Sequence, residues 1–317
     1  MNSSFVVGID VGGQTSKIGV VDARGTVLAQ TVIRTDTYSE VEPFIAELAA
    51  AVSKLIKDSG TEGKVRGVGV GAPNGNYYTG TIEAAPNLTW GRSKVEFAKL
   101  LTEAIGLPVV LTNDANAAAV GEMTYGAAKG MKNFIMITLG TGVGSGIVIN
   151  GEVVYGHDGF AGELGHVAAV RNNGRTCGCG KTGCLETYAS ATGVARTARE
   201  WLELTDEPSV LRGLDTIASK DVYEAAKDGD KLALKIFEFT GKILGRSFAD
   251  FIAFSSPEAI VLFGGLARAK EFLTEPIEEA MNANVLPLWR GKVKIVYSQL
   301  KESDAAILGA SALAWEL

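Results

Sequence analysis

Two glycine-rich turns, each lying between two apolar strand-like segments, constrain the fold of this chain more than any other feature. The segments are 5–10, 12–13 and 17–22 in the first copy and 134–139, 140–146 and 147–150 in the second. A short apolar, β-branched run on each side of a Gly cluster predicts strand, turn and strand. The sequence therefore predicts an internal duplication of one supersecondary unit, with one copy in each half.

The glycine turns are candidates for phosphate binding, because Gly lets backbone N–H groups approach phosphate oxygens closely. Neither turn has the strand–GxGxxG–helix pattern of dinucleotide sites, and GxxxxGK[ST] is absent. We expect two facing lobes that share one phosphate chain, although each turn alone also fits a purely conformational role. Asp10 is placed to hold Mg2+ through water, while Thr15 and Thr141 add hydroxyl groups. Gly264–Gly265, after another apolar strand, is either a third nucleotide contact or a plain strand-to-helix turn.

Length and charge narrow the class of protein. At 317 residues, two domains are expected. The net charge of −6, without a Lys/Arg cluster, disfavours a dedicated nucleic-acid binder or membrane-surface binder. No apolar run approaches the roughly 18 residues of a spanning helix, and residues 1–4 lack the basic region of a signal peptide. We therefore expect a cytoplasmic protein.

All three cysteines fall within eight residues, at Cys177, Cys179 and Cys184. In a cytosolic chain, such a cluster favours metal ligation over a disulfide. A structural Zn2+ takes four ligands, and His166 is the nearer of the two histidines in the chain. The sequence predicts a Cys3His zinc site, with reduced, buried cysteines as the alternative.

Polar side chains near this cluster suit recognition of vicinal hydroxyls, because each carboxylate can accept two O–H bonds. Zinc ligation would hold Glu163 and Glu186 close to His166. Asp114, with Asn113 before it, stands at a strand-to-helix junction, where it is either a helix N-cap or an active-site group. Asn87 offers a donor and an acceptor from the first half, or satisfies its own loop backbone.

Together these features resemble the ROK family of sugar kinases over essentially the whole chain. Residues 10–13 (DVGG) and 139–144 (LGTGVG) are similar to the two phosphate loops of the family. Residues 163–166 (ELGH) and 177–186 (CGCGKTGCLE) are similar to its zinc and sugar signature, and Asn113–Asp114 is similar to its catalytic pair. The resemblance implies an α/β, two-lobed actin/hexokinase-like fold, a duplicated ribonuclease H-like architecture with a cleft between the lobes.

The resemblance also implies ATP-dependent phosphorylation of a hexose, first of all glucose to glucose 6-phosphate, with Asp114 as general base. The residues implied to bind the sugar are Asn87, Asn113, Glu163, His166 and Glu186. Those implied to bind the nucleotide are Asp10 (through Mg2+), Gly12, Gly13, Gln14, Thr15, Thr141, Gly142, Gly264 and Gly265. Gln14 stands where the family usually has Thr, which predicts altered phosphate contacts rather than inactivity. His166 would use its other ring nitrogen for Zn2+.

Several alternatives stay open at this point. Within the family, the substrate is alternatively N-acetylmannosamine, N-acetylglucosamine or fructose. A sugar-responsive repressor is disfavoured, since the first strand begins at Phe5 and leaves no room for a helix-turn-helix; a non-catalytic sugar-binding protein is disfavoured by Asp114. We expect a smaller lobe at 1–112 with 303–317, a larger lobe at 113–302, and assembly as a homodimer or homotetramer.

Overall fold

The computed structural model describes residues 4–317, apart from the side chain of Glu302. Met1–Ser3, part of the segment in which the sequence predicts no signal peptide, lie outside the described residues. The elements of the first half are β1 (Phe5–Val11), β2 (Thr15–Asp22), β3 (Val27–Arg34), α1 (Val41–Asp58), β4 (Val65–Gly71), β5 (Gly75–Asn76), β6 (Thr81–Ile82), α2 (Phe97–Ile105), β7 (Val109–Thr112) and α3 (Asp114–Tyr125). Those of the second half are β8 (Phe134–Leu139), β9 (Val143–Ile149), β10 (Glu152–Val153), α4 (Glu186–Ala189), α5 (Ala191–Leu204), α6 (Ser219–Lys227), α7 (Lys231–Ser255), β11 (Ala259–Phe263), α8 (Lys270–Asn284), β12 (Lys294–Tyr297) and α9 (Glu302–Leu313).

The two larger sheets have the same topology, which confirms the predicted duplication. The first has the strand order β3-β2-β1-β4-β7 and the second β10-β9-β8-β11-β12. In each, an antiparallel meander supplies three strands. A fourth strand pairs in parallel with the first strand of the meander, and a fifth pairs in parallel with the fourth. Since the carboxyl ends of parallel strands meet at one edge, each sheet presents its glycine turn at the same edge as the loops that follow its parallel strands.

Separate hydrophobic cores support the two sheets. In the first, α1 and α2 cover one face through buried side chains such as Phe44, Leu48 and Phe97. In the second, α7 and α8 contribute Phe237, Phe248 and other buried residues. The division at 112 and 303 stays a prediction.

Helix α9 returns to the first sheet and packs on β1 and β4. Close approach explains why Gly8 interrupts an apolar strand, since a Cβ there would lie 2.1 Å from the carbonyl oxygen of Ile307. On its other side α9 contacts α3, which in turn packs on β8 and β9. The α3–α9 pair therefore connects the two sheets.

The predicted second glycine turn is shorter than expected. β9 begins at Val143 rather than at 147, so only Gly140–Gly142 form the turn. Gly144 and Gly146 lie within the strand, where a Cβ at Gly146 would be 2.8 Å from Ala119 on α3. Within the described part of the chain, no helix has the length and apolar character needed to cross a membrane.

Candidate active site

Three thiols and one imidazole meet in the loop region between β10 and α4. The ligand atoms of His166, Cys177, Cys179 and Cys184 all lie within 4.8 Å of one another. The Sγ atoms of Cys179 and Cys184 are 3.6 Å apart, and Cys177 Sγ is 3.7 Å from His166 Nδ1. A tetrahedral Zn2+ separates its sulfur and nitrogen ligands by roughly 3.5–3.8 Å, as follows from Zn–ligand distances of about 2.0–2.3 Å. The donor set and its spacing therefore fit Zn2+.

The cysteine loop folds tightly because glycine allows close backbone contacts. A Cβ at Gly183, where φ is +79°, would lie 1.8 Å from the carbonyl oxygen of Val170. Burial raises the pKa of the Cys177 thiol to about 12. The backbone N–H of Lys181 lowers the pKa of Cys179. Because a metal binds thiolates, loading the site displaces the thiol protons.

Two carboxylates flank the imidazole on opposite sides. Glu163 Oε2 is 4.0 Å from His166 Nε2, and Glu186 Oε1 is 3.7 Å from Nδ1. Cys177 Sγ also donates to Glu186 Oε1 at 3.0 Å. Burial raises the pKa of Glu163, and the charges of Asp114 and Glu186 raise it further against the opposing effect of His166. The structure thus brings the predicted zinc ligands together with Glu163 and Glu186, whereas the predicted sugar residues Asn87 and Asn113 lie outside this cluster. His166 turns Nδ1 towards the thiols and Nε2 away from them.

Asn113, rather than Asp114, caps helix α3. Its Oδ1 accepts from Asn116 N at 2.7 Å, while Asp114 is the first helical residue and accepts from Ala115 N at 2.8 Å. The N-cap interpretation of Asp114 is therefore wrong. Asp114 is accessible to solvent, yet the protein groups around its carboxylate partly desolvate it and so raise its pKa.

Asp10 lies on β1 and interacts electrostatically with Asp114. Burial raises the pKa of Asp10 to about 6; Asp114 contributes to the rise and Lys17 opposes it. Across the sheet, Asp10 pairs in register with Gly71, and Gly71 with Thr112. A Cβ at Gly71 would lie 3.2 Å from Ala117 Cβ and 3.6 Å from Asp114 Cα, so this glycine lets the start of α3 approach the strand closely. Sequence analysis did not identify Gly71, because its importance depends on this register.

The two glycine turns each lie against a predicted sugar residue. A Cβ at Gly13 would be 2.7 Å from the Asn87 carbonyl oxygen, and one at Gly142 would be 2.7 Å from Glu186 Oε2. Thr141 O accepts from the Thr192 hydroxyl at 2.8 Å. One cavity of about 520 Å3 is lined by Asn87, Thr141, Gly142, Thr176, Gly178, Glu186, Thr187, Thr192, Gly193, Arg196 and Arg199.

The remaining predicted nucleotide residues lie at or beside these turns. Gly12 N donates to Thr15 O at 3.1 Å, and Gln14 O accepts from Thr35 N at 2.8 Å, which fixes the first turn. Gly264, at φ +104°, would place a Cβ 2.6 Å from the Leu139 carbonyl oxygen, so it adjoins the start of the second turn. Gly264 lines a different cavity of about 400 Å3, and Gly265 begins a 3-10 helix over Gly265–Ala269.

Sequence analysis did not predict that the start of α5 lines the cavity of about 520 Å3 beside the second glycine turn. Ser190 caps the helix by accepting from Gly193 N, and Thr192 and Arg196 border the cavity. The signal was present, because Ser before an amphipathic segment predicts a helix N-terminus. Its position beside the second glycine turn is a tertiary feature that no local pattern reveals.

The two sheets of equivalent strand order, each with its own hydrophobic core, define a two-lobed actin/hexokinase-like α/β protein. The profile described as "ROK family" matches residues 6–316, and the chain belongs to the ROK family.

Three similar proteins cover nearly the whole chain. A glucokinase of Halalkalibacterium halodurans is 37% identical over 98% of this chain and 94% of its own length. A glucokinase of Thermotoga maritima is 34% identical over 97% and 96%, respectively. The crystal structure of a ROK family glucokinase from Streptomyces griseus in complex with glucose and AMPPNP is 33% identical, with a TM-score of 0.80, and the match covers 99% of this chain and 100% of that one.

Proposed function

We propose that this protein transfers a phosphoryl group from ATP to a hexose, with glucose to glucose 6-phosphate as the favoured reaction. The observation that carries the proposal is the solvent-accessible Asp114 carboxylate at the start of α3, which interacts electrostatically with Asp10 beside the first glycine turn and with Glu163 beside the cysteine cluster. The glucokinase relatives, and the glucokinase solved with glucose and AMPPNP, support ATP as donor and glucose as acceptor.

Asp114 is the proposed general base. It accepts the proton of the primary hydroxyl as that oxygen bonds to the γ-phosphorus and the bond to ADP breaks. Partial desolvation raises its pKa, so the ionised side chain is a stronger base than a fully solvated aspartate. Phosphoryl transfer has a loose transition state, so positioning of the two substrates contributes much of the remaining rate.

The glycine turns are proposed to bind the phosphates through backbone N–H groups. The first turn supplies Gly13 and Gln14, with the Thr15 hydroxyl, while Gly12, whose N–H donates to Thr15 O, shapes the turn beside the phosphates. The second turn supplies Thr141 and Gly142. Gly264 and Gly265 approach the nucleotide beside the second turn. Asp10 would hold Mg2+ through water, and the cation would offset charge on the phosphates.

The Cys3His cluster is proposed to fix the sugar-binding wall. Zn2+, when bound, supplies a rigid tetrahedral anchor for His166, Cys177, Cys179 and Cys184. His166 then presents Nε2 to the sugar, and the adjacent Glu163 and Glu186 accept hydroxyl protons. Asn113 keeps its amide N–H groups for the sugar, because its Oδ1 is used by the helix cap. Asn87 contributes from the opposite side of the cavity.

The Asp114→Asn variant tests this proposal. We expect turnover to fall by roughly 10²–10⁴-fold, the usual contribution of a general base, while glucose binding measured by calorimetry changes little. Glu122→Gln is the matched control, because Glu122 is a buried carboxylate on the same helix, bonded to Ser298 and Ala127. Near-normal turnover in Asp114→Asn would contradict the role of Asp114.

A coupled ADP-release assay identifies the acceptor. We expect the highest kcat/KM with glucose in a panel that includes mannose, fructose, N-acetylglucosamine and N-acetylmannosamine. A higher value for an N-acetylhexosamine or fructose would assign the protein to another substrate class of the family. Homodimeric or homotetrameric assembly stays a prediction, which light scattering coupled to size exclusion tests.

A further inference from the structure

Arg175 is a buried cation that the proposed reaction does not use directly. It lies two residues before Cys177, and its side chain is only 8% exposed. A buried charge is costly unless it is paired and fully hydrogen-bonded. Its contacts therefore indicate which parts of the structure it holds together.

The guanidinium joins the cysteine loop to two helices. Nη1 donates to the carbonyl oxygens of Thr187 at 2.7 Å and Gly193 at 3.3 Å. Nη2 donates to the Thr197 hydroxyl at 2.9 Å, and Nε and Nη2 both reach Glu200 Oε2, at 3.0 and 2.5 Å. The planar fork of arginine suits this arrangement of acceptors, and a lysine ammonium does not reproduce it.

Tyr188 adds a second connection between the loop and α4. Its ring lies under the guanidinium at 4.5 Å, and its hydroxyl accepts from the backbone N–H of Arg175 at 2.8 Å. A cation over an aromatic face is stabilised electrostatically, more strongly when it is desolvated.

Two of the contacted residues, Thr187 and Tyr188, directly follow Glu186, the first residue of α4. Thr187, the next residue, accepts from Arg175 through its carbonyl and donates through its hydroxyl to Cys184 O at 2.7 Å. Glu186 itself contacts Cys177 Sγ and the second glycine turn. The position of the Glu186 carboxylate therefore depends on how firmly α4 is held against the cysteine loop.

We propose that Arg175 is a positioning residue for hexose recognition, which holds Glu186 and the cysteine loop in one geometry by joining the loop to α4 and α5. The inference rests on the proposed kinase function. Loss of a residue that orients ligands from behind typically costs 10–100-fold in affinity or activity.

The Arg175→Lys variant tests this inference. Its KM and kcat are measured for glucose and ATP. In the absence of turnover, glucose binding is measured by calorimetry and zinc release with a colorimetric chelator. We expect the glucose KM and dissociation constant to rise about tenfold or more, zinc release to accelerate, and the ATP KM to stay within about twofold. Thr197→Val removes one acceptor and keeps the guanidinium; if Arg175→Lys does not fold, this variant is expected to raise the glucose KM in the same selective way.

Arg212→Lys is the matched control. Arg212 also donates to three backbone carbonyls, those of Leu202, Thr205 and Glu207 at the far end of α5. Arg212→Lys should leave the glucose KM, the glucose dissociation constant, the rate of zinc release and the ATP KM unchanged. An unchanged glucose affinity in both Arg175→Lys and Thr197→Val, or equal changes for glucose and ATP, overturns the inference. Absence of hexose-dependent turnover in the wild type instead overturns the proposed function.

Discussion

Asp10→Asn is expected to stabilise the ligand-free protein while abolishing its activity. The pKa of Asp10 is raised from 3.8 to about 6, first by burial and then by Asp114. The folded state therefore binds this proton more tightly than the unfolded state, and stability falls as pH rises from about 4 to about 6. At 1.36 kcal/mol per pKa unit, ionisation of Asp10 lowers the free energy of unfolding by at most about 3 kcal/mol above pH 6.

Urea unfolding in EDTA at pH 4.0 and pH 7.5 measures this cost. Asn carries no charge, so the variant should gain up to about 3 kcal/mol over the wild type at pH 7.5 and only a few tenths at pH 4.0. Asp228→Asn, at an exposed site, is the control and should show no such pH-dependent gain. A gain that is absent at pH 7.5, or equal at both pH values, would refute the reasoning. Activity with Mg-ATP should be lost, because the water-mediated cation site is removed.

Three further substitutions test separate parts of the site. Gly13→Ala would place a Cβ 2.7 Å from Asn87 O; we expect kcat/KM for ATP to fall by about tenfold or more in steady-state kinetics, with glucose binding by calorimetry little changed. Cys179→Ser should lose zinc, measured by elemental analysis, together with glucose affinity, and an unchanged glucose KM in the zinc-free variant would contradict the role of the metal. Gly264→Ala would place a Cβ 2.6 Å from Leu139 O at a residue with φ +104°. We expect the free energy of unfolding in urea to fall by at least about 1–3 kcal/mol and ATP binding to weaken. An unchanged free energy of unfolding would contradict backbone strain at this position.

The duplicated fold was accessible from sequence because the signals are local. Apolar runs around Gly clusters specify strand–turn–strand units, and both units form the first three strands of a sheet. The start of β9 was not accessible. Gly144 and Gly146 are indistinguishable from turn glycines in the sequence, yet they lie in a strand. Glycine is needed at these positions because α3 approaches the strand closely. A glycine required by packing and a glycine required by a turn leave the same local pattern.

The cysteine cluster was predictable for a different reason. Residue type, number and spacing restrict metal ligation strongly, so the three cysteines and His166 were identified before any geometry was known. Gly71 and Arg175 were not predicted from the sequence. Gly71 depends on strand register, and Arg175 depends on contacts with two helices. Asp114 was recognised as a candidate, but only the hydrogen bond from Asn116 N to Asn113 Oδ1 shows that Asn113 is the cap and leaves the Asp114 carboxylate for another role.

Phosphorus NMR of a reaction of zinc-loaded wild-type protein with Mg-ATP and glucose tests the central claim most directly. The account predicts one glucose 6-phosphate resonance growing in equal amount with ADP, and neither product when glucose is omitted. ADP accompanied by inorganic phosphate instead of a sugar phosphate, or no consumption of ATP by protein that binds glucose, would contradict it.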